Sequence, residues 1–89
     1  MANVVNDPEE LRNFAHALTQ FNDTLENATG QINGLFSQLE LSWNDRKKEQ
    51  FKDGFLELIH NLAKFREVSA ESVNHLRNMA GILDQYNNS

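Results

Sequence analysis

The chain has 89 residues, a formal net charge of −5 and no cysteine. It is long enough for one small domain, and disulfides and thiolate metal sites are excluded. The acidic balance disfavours nonspecific nucleic-acid binding, which needs Lys and Arg to neutralise phosphates.

Met1 to Asn6 reads as a short polar lead. The stretch from Met1 to Glu10 has neither a basic region nor an apolar run, so no cleaved leader is expected. No stretch is long enough to predict a membrane span. Asp7-Pro8-Glu9-Glu10 is a helix start: Asp7 as N-cap, Pro8 at the first helical position and Glu10 at the capping-box position. Helix 1 is predicted from about residue 8 to 41, a rod of roughly 50 Å. Leu11, Leu18, Leu25, Ile32 and Leu39 alternate with Phe14, Phe21, Ala28 and Leu35 at steps of three and four. With Leu11 at heptad position a, this is an a/d seam. Beyond the first turn the charges of helix 1, Arg12, Asp23, Glu26 and Glu40, fall at b or f. Its e and g positions hold small or uncharged residues, which suits a bundle with a second lateral neighbour better than a two-stranded zipper. Gly30 and Gly34 lie off the seam, and each weakens the helix by about 1 kcal/mol relative to Ala.

Residues 42–45 break the pattern. Ser42 and Asp45 are both good N-caps, and a turn here folds a second helix back antiparallel. Helix 2 is predicted from about 46 to 86. With Phe55 at a, its seam is Phe55, Leu58, Leu62, Phe65, Ser69, Ser72, Leu76, Met79, Leu83 and Tyr86. The serines mark either a register shift or a small polar layer. Asn87-Asn88-Ser89 reads as a frayed end. A second apolar stripe at b and e comprises Leu56, Ile59, Ala63, Ala70, Val73 and Ala80. One antiparallel neighbour cannot cover both stripes, which predicts association with another hairpin.

Chemistry-bearing patterns are few. Glu57 and His60 have the Glu-x-x-His spacing of di-iron bundles but fall at c and f, facing solvent, so no metal or cofactor site is expected. His16 and His60 read as surface residues and His75, at g, as partly buried. No nucleophile constellation and no phosphate-binding glycine loop occurs, so enzymatic activity is not predicted. Arg46-Lys47-Lys48 places cations at a helix N-terminus, where the dipole disfavours them. This is either a solvated tip offset by Asp45 and Glu49 or a contact for an acidic partner or anionic lipid.

Trp43 is the only tryptophan, and it stands at the turn. Ser42-Trp43-Asn44-Asp45, with Phe51 eight residues after Trp43 and Phe55 four later, resembles the WXG-motif family. These are early-secreted-antigen-like small helical hairpins handled by type VII secretion. The length, the near-central Trp and the flanking helices match over the whole chain. Asp45 stands where the family has Gly, as in its divergent members with Trp-x-Asp, and exchanges a permissive turn residue for a helix cap. The family's C-terminal Tyr-x-x-x-Asp/Glu signal is not completed after Tyr86; in many families of this type a partner subunit carries it, so the resemblance still allows export.

The expected fold is therefore all-α: an antiparallel helical hairpin dimerising into a four-helix bundle, with Leu56, Ile59, Ala63 and Val73 at the dimer interface. The partner is a second copy or a sister chain. Trp43, Asp45 and Phe51 are the turn motif, Trp43 being either a docking residue or a packed cover for the bundle end. The expected function is non-enzymatic: a WXG-like protein exported without a leader by a type VII-like system, or an adaptor for one. The alternative is a cytoplasmic structural or chaperone-like module that binds another helical protein.

Overall fold

A computed structural model describes residues 7–87; the expected polar lead Met1–Asn6 and most of the expected polar tail lie outside them. Two helices, α1 (Pro8–Ser42) and α2 (Lys47–Asn87), pack as an antiparallel hairpin. The hairpin measures 67 × 20 × 18 Å.

Local chemistry sets the helix ends. Asp7 sits in an extended conformation and its Oδ1 accepts a hydrogen bond from the backbone N–H of Glu9 at 2.9 Å, with Pro8 opening the helix. At the other end of α1 the Trp43 N–H donates to the Leu39 carbonyl at 3.0 Å, closing the last turn. Ser42 belongs to that turn, its hydroxyl donating to the same carbonyl, so of the two expected caps only Asp45 is used. Asp45 Oδ1 accepts from the Lys47 N–H, and its carbonyl from the Lys48 N–H, both at 3.0 Å. The two helix boundaries at the turn each fall one residue later than expected for this reason.

The contact between the helices differs from an a/d seam. The positions turned inward are a and e, except near the turn, where Ile32 and Leu39 at a are exposed. Ala15 and Ala80 are fully buried, and Ser69, Val73 and Phe36 nearly so. Leu18, Asn22, Leu25 and Thr29 of α1 and Phe55, Ile59, Leu62, Arg66 and Leu76 of α2 are half-buried along the same line. The d residues, expected inside, are exposed: Phe14 by 59%, Leu35 by 63%, with Phe21, Leu58, Phe65 and Met79 alike. Relative to the a/d reading each helix is rotated by roughly 50°, taking 100° per residue. The physical reason is size. Ala, Ser and Thr at the contact let the two backbones approach, while a row of phenylalanines between only two helices would hold them apart. Ser69 is therefore a small residue at close packing, and α2 passes through the two serines without a break.

Two clusters fasten the hairpin ends. Near the turn, Phe36 packs on Phe55 at 4.7 Å and on Phe51 at 5.7 Å between ring centroids. Near the open end the seam is made of Ala15, Val73 and Ala80. A line of ion pairs runs along one edge: Arg12 to Asp84, Glu26 to Arg66 at 3.1 Å, and Glu40 to Lys52 at 2.6 Å. The α1 members are its b residues, which lie beside the contact and reach across it. Midway along, Asn22 Oδ1 and Arg66 Nε are buried without a hydrogen-bond partner.

An unpartnered buried acceptor costs free energy that an apolar residue of similar size does not. Asn22→Leu is accordingly expected to raise stability by about 1 kcal/mol in chemical denaturation; a loss of stability would show that Asn22 is satisfied. The hydrogen bond from Lys52 is the main reason why the Glu40 carboxyl is held below its ordinary value, opposed by partial desolvation. A depressed carboxyl contributes its stability above the unfolded-state value and loses it as pH falls through the lowered folded value. Melting temperature should thus decline on acidification through the carboxylate range, and Glu40→Gln should flatten that decline. An unchanged acid limb in the variant would remove the ion pair from the account.

Candidate docking site

Because the helices meet through a and e, their d and g residues are left on one side of the hairpin. In an antiparallel pair, equivalent flanks of the two helices lie on the same side of the plane through both axes. The two exposed d rows therefore form one face. Phe21 of α1 meets Phe65 of α2 edge-on across it, with ring centroids at 6.0 Å and planes at 80°. Toward the turn, Ile32, Leu35, Leu39, Phe51 and Leu58 line an apolar groove of about 340 Å³, floored by Phe36 and Phe55. Toward the open end, Phe14, Leu18, Val68 and Leu76 line another, with Glu71, Ser72 and His75 at its border. His75 is exposed there, not partly buried as expected. The ion pairs lie on the opposite side, at the b flank. The hairpin is thus charged and internally paired on one side and apolar along its length on the other.

Of the turn motif, Trp43 and Phe51 lie together. Trp43, half-buried, meets Phe51 at 5.6 Å between ring centroids with planes tilted by 54°, and Phe51 stacks on Phe55 at 6.2 Å with planes 14° apart. Asp45 takes no part in this stack. It caps α2, its Oδ1 accepting from the Lys47 N–H. Of the basic cluster, Arg46 and Lys47 are exposed and Lys48 half-buried.

The second stripe of α2 does not form one free surface. Val73 is 5% exposed and Ile59 half-buried, both against α1, whereas Leu56 and Ala63 are exposed on the other flank. The e half of that stripe is consumed by the hairpin, because e lies only about 40° from a around the helix. The long exposed apolar surface is that of the d rows. Val68 and Ile82, apolar residues at g beside the d row, were the signal in the sequence for this side.

Glu57 and His60 are both exposed, and no group of three or more potential metal ligands occurs among the described residues. No helix among them is long and apolar enough to cross a membrane.

Trp43→Ala should cost about 2 kcal/mol of hairpin stability, roughly half the value for a fully buried aromatic, because one side of the ring is wet. Unaltered stability in this variant would show that the stack on Phe51 carries no folding energy.

No family model matches the chain, and no curated protein and no solved structure is significantly similar to it.

Proposed function

We propose that this protein works without catalysis, as a WXG-like helical hairpin that docks another helical protein and is exported by, or serves as adaptor for, a type VII-like secretion system. The observation that carries the docking part is the apolar face. Phe14, Phe21, Leu35, Leu58, Phe65 and Met79 lie side by side in water on a chain with little interior. A contiguous apolar face of this length is a liability for a lone protein and an interface for a paired one. The side of the hairpin that carries it, 67 Å long and 20 Å wide, has room for the about 800 Å² per partner of a standard stable interface. A helical occupant suits it, since two parallel ridges with a groove between them accept the ridge of a third helix.

The secretion part rests on the resemblance around Trp43 and on the length and hairpin form. The geometry of the turn supports it in one respect. Trp43 stays half exposed beside the aromatic stack, so a packed residue also presents a surface at the tip. Asp45 keeps the turn that glycine would make.

The test is export from the native cells, with a cytoplasmic marker as control for lysis. Wild-type protein is expected intact in the medium. Leu58→Asp is the informative variant, because Leu58 is half exposed in the hairpin and a charge there spares folding while it spoils an apolar docking surface. It should leave helicity unchanged and reduce export or partner capture about tenfold or more. Wild-type retention with the marker would sink the secretion reading and favour the cytoplasmic module. Undiminished export and capture by Leu58→Asp would remove the apolar face from the function.

A further inference from the structure

The turn carries features that neither the helix contact nor the apolar face uses. Leu41 is 87% exposed, the highest value among the large apolar side chains of the described residues. At heptad position c it lies outside both the a/e contact and the d row. Trp43, two residues on, is half-buried, with part of its indole in water. Arg46 and Lys47 follow, both exposed, in a chain whose net charge is −5. Cations at a helix start oppose the helix dipole, so they weaken α2 unless something pairs them. Nothing in the described hairpin does. Asp45 gives its Oδ1 to the Lys47 backbone N–H. Glu40 takes the hydrogen bond of Lys52 and, to a smaller extent, the charge of Lys48. Glu49 adds its charge to that around Lys52. Among the described residues no ion pair reaches the Arg46 guanidinium or the Lys47 ammonium, whereas Arg12, Lys52 and Arg66 are all paired across the seam. A local choice that costs stability and has no internal compensation points to use at that position.

We propose that the tip of the hairpin, formed by Leu41, Trp43, Arg46 and Lys47, binds an acidic peptide segment of another protein, with carboxylates on the two cations and an aliphatic side chain against Leu41 and the indole. This site is separate from the apolar face and goes beyond the docking reading of that face. The Arg46 guanidinium presents paired donors that match a carboxylate, and the Lys47 ammonium adds a point charge beside it. Carboxylates placed there also suit the positive end of the α2 dipole, so the occupant relieves the conflict that the cations create. Exposed ion pairs alone contribute little in water. Leu41 and Trp43 add the apolar contact that such pairs lack. The hairpin is only 20 × 18 Å across, and a narrow end suits a short segment laid over it. An anionic bilayer fits less well. Recognition of such a surface by charge takes a cluster of about four to eight Lys or Arg. Here Lys48 is half-buried and acts on Glu40, which leaves Arg46 and Lys47.

Trp43 is the only tryptophan of the chain, so its fluorescence reports on its own site. The hairpin is titrated with a capped peptide, Glu-Leu-Glu-Asp-Leu-Glu, with its amide counterpart, Gln-Leu-Gln-Asn-Leu-Gln, and with phosphatidylglycerol vesicles over the same range of negative charge. The acidic peptide is expected to give a saturable change that weakens with salt, and the amide peptide none. Arg46→Glu combined with Lys47→Glu turns two attractions into two repulsions and should weaken binding about tenfold or more. Its helicity and melting temperature should hold or rise, because carboxylates suit a helix start. Leu41→Gln should weaken binding about threefold and spare folding, since the side chain is already in water. A response that survives in the double variant, an equal response to the amide peptide, or no response at all would overturn the proposal. Vesicles that shift Trp43 at a lower concentration of negative charge than the peptide needs would also overturn it and assign the tip to a membrane. Leu58→Asp should bind the peptide as wild type does, so failure of the docking face and failure of the tip site are read separately.

Discussion

Two helices can cover only one stripe of each other, and this hairpin gives that stripe to its small residues. Ala15, Ser69, Val73 and Ala80 are the buried line, with one aromatic, Phe36, near the turn. Close approach of two backbones gains dispersion contacts along the whole rod but leaves no room for the larger side chains beside it. The phenylalanines at d are thereby put out on the surface, and the charged residues at b are brought beside the contact. What faces water and what pairs across the seam both follow from which stripe the contact takes.

The two sides of the molecule acquire different physical characters from that one choice. On the b flank, Arg12, Glu26 and Glu40 find opposite charges on α2, and exposed pairs of this kind contribute little more than register. On the d flank the apolar rows of the two helices merge, since antiparallel chains keep equivalent flanks together. Apolar surface that a thicker domain would bury internally is left in water here. The chain offers docking geometry and presents no constellation for chemistry among the described residues, and the proposed function builds on that face.

The turn shows how one position can satisfy two demands. Trp43 ends α1 with its backbone and packs on Phe51 with its ring, and Asp45 starts α2 with its side chain. The turn and the Asp45 cap were legible in the sequence, because capping depends on near neighbours; the contact of Trp43 with Phe51 was not. The partition of apolar residues between interior and surface was less legible. Ile59 and Val73 belong to a stripe that the sequence marks as apolar, yet nothing local says whether the first or the second neighbour will cover it. The same holds for Phe65, which a heptad reading places inside.

Sequence alone determined the two helices, the place and chemistry of the turn, the antiparallel hairpin and the surplus of apolar surface over what one neighbour can cover. These depend on periodicity and on capping within a few residues. Only the tertiary structure decided that a and e form the contact, that the d rows form one exposed face, and that the b charges pair across the seam. A heptad pattern specifies an apolar arc on each helix but not the rotation about the axis. That rotation is settled by how closely two particular backbones can approach, which depends on side-chain volumes on both helices at once.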